Sequence, residues 1–198
     1  MRTSENTPAT ATAAAAASPA EGIVPDTKDW TWVLERPCPD CGLDTPRVVR
    51  EGVAGMVRAN ARGWLEVLAG DAEGLRRRPA PGVWSGLEYA CHVRDVFRLF
   101  HVRLSLMLGQ DDPLFPDWDQ DGTAVAERYG EQDPRVVAGE LAEAAETLAG
   151  AFEAVAGEQW GRTGNRGDGA RFTVESFSRY LVHDPVHHLV DVTGERVV

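Results

Sequence analysis

Three of the five histidines in this 198-residue chain fall inside six positions, at His183, His187 and His188. His183 and His187 are four apart. At about 100° per residue that spacing puts both imidazoles on one helix face, one turn apart, where they can grip a single metal ion. The pair is half a metal site and needs partners from elsewhere. Cys38-Pro-Asp-Cys41-Gly42 is a second fragment of this kind. A C-x-x-C followed by Gly forms the knuckle turn of many zinc sites, but four ligands are usual and no second cysteine pair follows. A reduced pair packed in an arm, a structural zinc completed by residues distant in sequence, and a disulfide or redox pair all fit it. The third cysteine, Cys91, adjoins His92. Neighbours on a helix diverge by about 100°, so a Cys nucleophile using that His as its base is disfavoured, and a buried structural thiol fits better.

The element that must position the histidines is a helix capped by Thr173. On it Ser176, Tyr180, His183, His187 and Asp191 fall within about 40° of His187, forming a polar stripe. Phe177, Leu181, Val182, Val186 and Leu189 occupy the rest of the circumference. His188, about 100° from His187, is the spare histidine on this reading, and Pro185 should bend the helix nearby. Three further helices are expected. The first runs from about 47 to 68, with Val49, Val53, Met56, Trp64 and Leu68 in a stripe that also holds Asn60. The second runs from about 85 to 108 and opens with Ser85-Gly-Leu-Glu88, a capping-box pattern that makes Glu88 a cap rather than a catalyst. Its His92 shares a face with Val96 and Leu99 and points inward, whereas His101 faces away. The third starts at Asp133-Pro134 and carries Val137, Leu141, Leu148, Phe152 and Val155.

A connection of about 25 residues, Gly109 to Asp133, separates the second and third helices, and loops this long tend to be functional or to cross a bundle. The glycine-rich stretch Gly161 to Gly169 lacks phosphate-binding spacing and reads as a turn or short hairpin. Trp30 and Trp32 should anchor an N-terminal arm on the domain.

With 43% hydrophobic and 26% charged residues, the chain can bury one globular domain with a short appendage. A net charge of -11 argues against nucleic-acid binding, and the only basic run, Arg76-Arg77-Arg78, reads as a solvated loop. No apolar stretch approaches the roughly 20 residues that span a bilayer. The opening alanine run lacks Leu, Ile, Val and Phe, which makes it a poor secretory signal, so the expected location is the cytoplasm. An odd number of cysteines does not make a disulfide framework. A homodimer is compatible with a bundle, but nothing in the chain requires one.

Trp84-Ser85-x-x-Glu88-x-x-x-His92 and Tyr180-x-x-His183-Asp-x-x-His187-His188-x-x-Asp191, supported by Trp118-Asp-Gln120, resemble the DinB-like superfamily. These are metal-binding four-helix bundles that include mycothiol- and bacillithiol-dependent S-transferases and mycothiol-dependent maleylpyruvate isomerase. The resemblance covers about 30 to 192. It implies an all-α four-helix bundle over 47–198 with a long crossover between helices 2 and 3. In front of it stand a Trp/C-x-x-C arm over 26–46 and a disordered Ala/Thr/Pro-rich tail over 1–25. It also implies His92, His183 and His187 as ligands of a divalent metal, with water completing the shell. Zinc is the default, with nickel or iron also suited to imidazole. Three neutral imidazoles leave the ion's charge uncompensated and a position open, as in catalytic sites. The implied partners are a low-molecular-weight thiol such as mycothiol and a small-molecule electrophile. Asp191 and Asp95, each one turn beyond a ligand histidine, are candidates to orient the ligand rings, with a surface carboxylate as the equal alternative for Asp95. Asp119 on the long loop and Tyr180 on the polar stripe complete the candidate catalytic set. A hydrolase or cyclase using metal-bound water, and a non-catalytic metal-stabilised bundle, are the other function classes.

Overall fold

The computed structural model describes residue 23 and residues 28–196. Apart from Ile23, the tail expected over 1–25 lies outside them. Four long helices build the core: α1 (Val53–Leu68), α3 (Gly86–Gly109), α5 (Pro134–Glu153) and α6 (Val174–Thr193). Short helices α2 (Ala72–Arg76) and α4 (Gln120–Ala126) lie in the connections, and strands β1 (Thr163–Asn165) and β2 (Arg171–Thr173) form a hairpin where the glycine-rich stretch was expected to turn. No helix among the described residues is long and apolar enough to cross a membrane.

Local chemistry sets the helix starts. Ser85 accepts from the Glu88 amide and Glu88 returns a bond to the Ser85 amide, the expected capping box. Asp133 caps α5 with Pro134 at its first position, and Thr173 caps α6. One boundary differs from the periodicity. Turns of 3-10 helix occupy Thr45–Arg47 and Arg50–Gly52, so α1 begins only at Val53. Val49 therefore leaves the expected stripe and is exposed, while Val57 and Ala61 join Val53, Trp64 and Leu68 inside. The basic run also departs from a solvated loop, because Arg78 forks onto the buried Glu88 carboxylate at 2.6 and 3.0 Å.

Side-chain pairings fix the directions of the helices. Asn60 of α1 meets Pro185 of α6, and Gly63 lies against Leu189, so these two helices run parallel. The start of α1 lies beside the end of α5, with Ala54 near Phe152 and Glu153 and with Arg58 reaching Glu153 and Glu146, so α5 runs the other way. The connection after α3 runs back along that helix. Phe115 bonds to Asn165 beside the hairpin, Trp118 stacks on His92, and Gln132 reaches Arg94. Helix α5 therefore starts beside the N-terminal half of α3 and runs parallel to it, since Gln132 meets Cys91 and Arg94 whereas Glu140 meets Arg94 and Arg98. This is the long crossover.

The arm is part of the core. Val33, Cys38, Cys41 and Leu43 are buried, and Thr45 donates to the Val33 carbonyl. Its 3-10 turn, Trp30–Leu34, packs on α6. That contact brings the two fragments of metal chemistry together.

Two candidate metal centres on one helix

His183 and His187 share a face of α6 as their spacing demands, and the arm packs against that face. Cys38, Cys41, His183 and His187 each offer one ligand atom, and all four atoms lie within 4.8 Å of one another. The Cys38 Sγ to His187 Nδ1 distance is 3.6 Å. A tetrahedral ion with bonds of about 2.3 Å to sulfur and about 2.1 Å to nitrogen needs those atoms about 3.6 Å apart. The two imidazole centroids are 5.1 Å apart, and Trp30 covers both at 5.2 and 5.1 Å. Both sulfurs and His183 are buried. The cysteine knuckle is formed by Gly42 N donating to Cys38 O and Cys38 N donating to Leu43 O, each at 2.9 Å. Gly42 takes φ 85°, which glycine adopts without penalty. Burial pushes the Cys41 thiol up to about 11 and, helped by His187, the His183 imidazole down to about 4, so His183 is neutral at pH 7.

The next residue on α6 after each of these histidines faces a different neighbour. Asp184 and His188, also four apart, turn toward α3 and meet His92, forming a second group within 4.8 Å. His92 Nε2 is 3.4 Å from Asp184 Oδ1, and His188 Nε2 is 3.8 Å from Asp184 Oδ2. Neither ring nitrogen of the fully buried His92 has a hydrogen-bond partner, nor has Asp184 Oδ1. Buried polar atoms are almost always partnered, so the unpartnered His92 Nε2 and Asp184 Oδ1, which face each other across 3.4 Å, mark a place for a cation. Burial alone would raise the Asp184 carboxyl, but His92 and His188 hold it well below the usual carboxylate range. Trp118 stacks on His92 at 5.3 Å with planes 14° apart, and Trp84 packs at 5.1 Å.

The expected trio of His92, His183 and His187 is thus divided between the two groups, and His188 lies with His92 and Asp184. The physical reason is rotation. Positions 183 and 184 lie about 100° apart on the helix, so the two four-residue pairs face different partners. The sequence signal for the second group is the interleaved pair Asp184/His188, masked by the all-histidine pair beside it.

The other candidate residues are placed as follows. Asp191 Oδ2 accepts from His188 Nδ1 at 3.2 Å and lies 3.7 Å from His187 Nε2. Asp95 does not orient His92, because its carboxylate is taken by Arg94 and by the Tyr129 hydroxyl at 2.5 Å. Asp119 caps α4 by accepting from Gly122 N at 2.9 Å. The Tyr180 hydroxyl accepts from Arg166 at 2.8 Å, and burial raises its pKa. Cys91 is buried, and its thiol is pushed up to about 12, so it is no nucleophile. A pocket of about 640 Å³ is lined by Tyr180, His183, Asp184, His187, His188 and Asp191 of α6 and by Trp30, Trp84, Trp118 and Asp119, so both groups border it. Asp184 is 35% exposed to it, whereas His92 is sealed.

The chain belongs to the DinB superfamily, whose family model matches residues 55–191. Among solved structures it is similar to YfiT from Bacillus subtilis, described as a probable metal-dependent hydrolase with an unusual four-helix bundle topology. The TM-score is 0.67 at 16% identity, covering 73% of this chain and 84% of YfiT. At that identity the likeness concerns the fold. No curated protein matches the chain at a significant level.

Proposed function

We propose that the chain is a divalent-metal-dependent enzyme that transfers a low-molecular-weight thiol of the mycothiol type to a small electrophile, with His92, Asp184 and His188 as the ligands. The observation that carries this reading is the approach of the unpartnered His92 Nε2 to the unpartnered Asp184 Oδ1, with Asp184 and His188 lining a large pocket. Two imidazoles and one carboxylate suit zinc, and also non-haem iron(II), and leave coordination positions free. When bound there, the ion would deprotonate a coordinating thiol outright, without a separate base.

That independence favours a thiol over water, because three of the carboxylates lining the pocket are engaged elsewhere. Asp191 holds His188, Asp168 holds Arg166, and Asp119 caps α4. Trp30, Trp84 and Trp118 offer ring faces to a polyhydroxylated thiol, and Tyr180, fixed by Arg166, can orient the electrophile. Metal-bound water acting as a hydrolytic nucleophile is the alternative.

The test is to load the protein separately with zinc, nickel and iron(II) and to supply an electrophile with and without mycothiol. Turnover that requires the thiol, and that falls at least about a hundredfold in His188→Ala, is expected. Equal turnover without thiol would establish the hydrolytic reading instead.

A further inference from the structure

We propose that Cys38, Cys41, His183 and His187 form a second, structural zinc site that clamps the N-terminal arm onto α6. It is separate from the proposed catalytic group and stands or falls independently of it. The donor set selects the ion: two sulfurs and two nitrogens in a tetrahedron suit zinc, and two thiolates cancel its charge, so the centre can be buried without a net charge. The positions agree with this. The four ligand atoms lie within 4.8 Å of one another, and the Cys38 to His187 separation of 3.6 Å matches a tetrahedral edge. The knuckle amides of the Cys38–Gly42 turn are already formed. His183 Nε2 is buried with no hydrogen-bond partner, so a ligand is required to satisfy it. With all four positions filled by protein, and Trp30 packed over both imidazoles, such an ion has no coordination position left for a substrate.

The clamp also serves the neighbouring group. Asp184 and His188 each directly follow a zinc ligand, so fixing the rotation of α6 on one face aims the other pair at His92.

The experiment is metal analysis and cobalt substitution on the full chain purified anaerobically, with a Cys38→Ser/Cys41→Ser variant and a His92→Ala variant. Zinc-loaded wild type should lose one equivalent per chain in the double-serine variant. Cobalt-loaded wild type should show thiolate-to-metal charge-transfer absorption, retained in His92→Ala and absent from the double-serine variant. Should that variant not fold, wild type decides alone: titration with an organomercurial should release one zinc for every two thiols modified. A wild type without thiolate absorption, unchanged zinc in the double-serine variant, or a Cys38–Cys41 disulfide in freshly purified protein would each overturn the assignment.

Discussion

His187 and His188 are adjacent in sequence yet lie in different groups of candidate ligands, with ring centroids 5.8 Å apart and planes at 77°. One imidazole faces the cysteines of the arm and the other faces His92 of α3. Each can therefore be removed without removing the other's partners, and the two substitutions should have opposite signatures.

His188→Ala should abolish activity and lose the ion shared with His92 and Asp184, while keeping the cysteine-bound zinc. His183→Ala should lose the cysteine-bound zinc and lower the melting temperature, because a structural zinc contributes directly to folding. Elemental analysis combined with calorimetry separates the two. If both variants lost the same single ion, the division into two centres would be wrong.

Asp191→Asn keeps the size of the side chain but removes the charge that faces His188 Nδ1 at 3.2 Å. Outer partners of this kind are worth about 10- to 100-fold in metal affinity or activity. The expected result is a loss of that order with an unchanged circular dichroism spectrum, and activity equal to wild type would remove Asp191 from the site.

Asp95 provides the pH dependence. Burial opposes its ionisation, but bonds from Arg94 and Tyr129 win and hold its carboxyl below the ordinary value. The folded protein thus binds fewer protons here than the unfolded chain. The stabilisation is complete above the unfolded pKa near 3.9 and is lost as pH falls through the lower folded value. Tyr129→Phe removes one of these bonds, at a cost of about 1–3 kcal/mol. Its acid-unfolding midpoint, read by tryptophan fluorescence, should move to higher pH than that of wild type.

Cys91 should resist alkylation by iodoacetamide at pH 8 in the native protein, since burial pushes its thiol up to about 12. Mass spectrometry should find it modified only after denaturation. Rapid native labelling at Cys91 would revive it as a reactive group.

Much of this was legible in one dimension. Ser85 with Glu88, Asp133-Pro134 and Thr173 announce three helix starts, because capping is a contact among residues within a single turn. The start of α1 was legible only approximately, since apolar spacing continues through Val49 while the backbone there winds as 3-10 helix. The inward aim of His92 also followed from helix phase, and it is fully buried.

By itself the sequence determined the set of ligand types and the two interleaved four-residue pairs on α6, because helix pitch converts spacing into faces without reference to anything else. Only the tertiary structure decided which face meets which partner. Cys38 and Cys41 lie more than 140 positions before His183, and His92 lies 91 before it. The docking of the arm on one side of α6 and of α3 on the next is set by packing around Trp30, Trp118 and the core. A rotation of about 100° between neighbouring residues is all that separates the two centres, and one-dimensional spacing carries no information about which neighbour stands on either side.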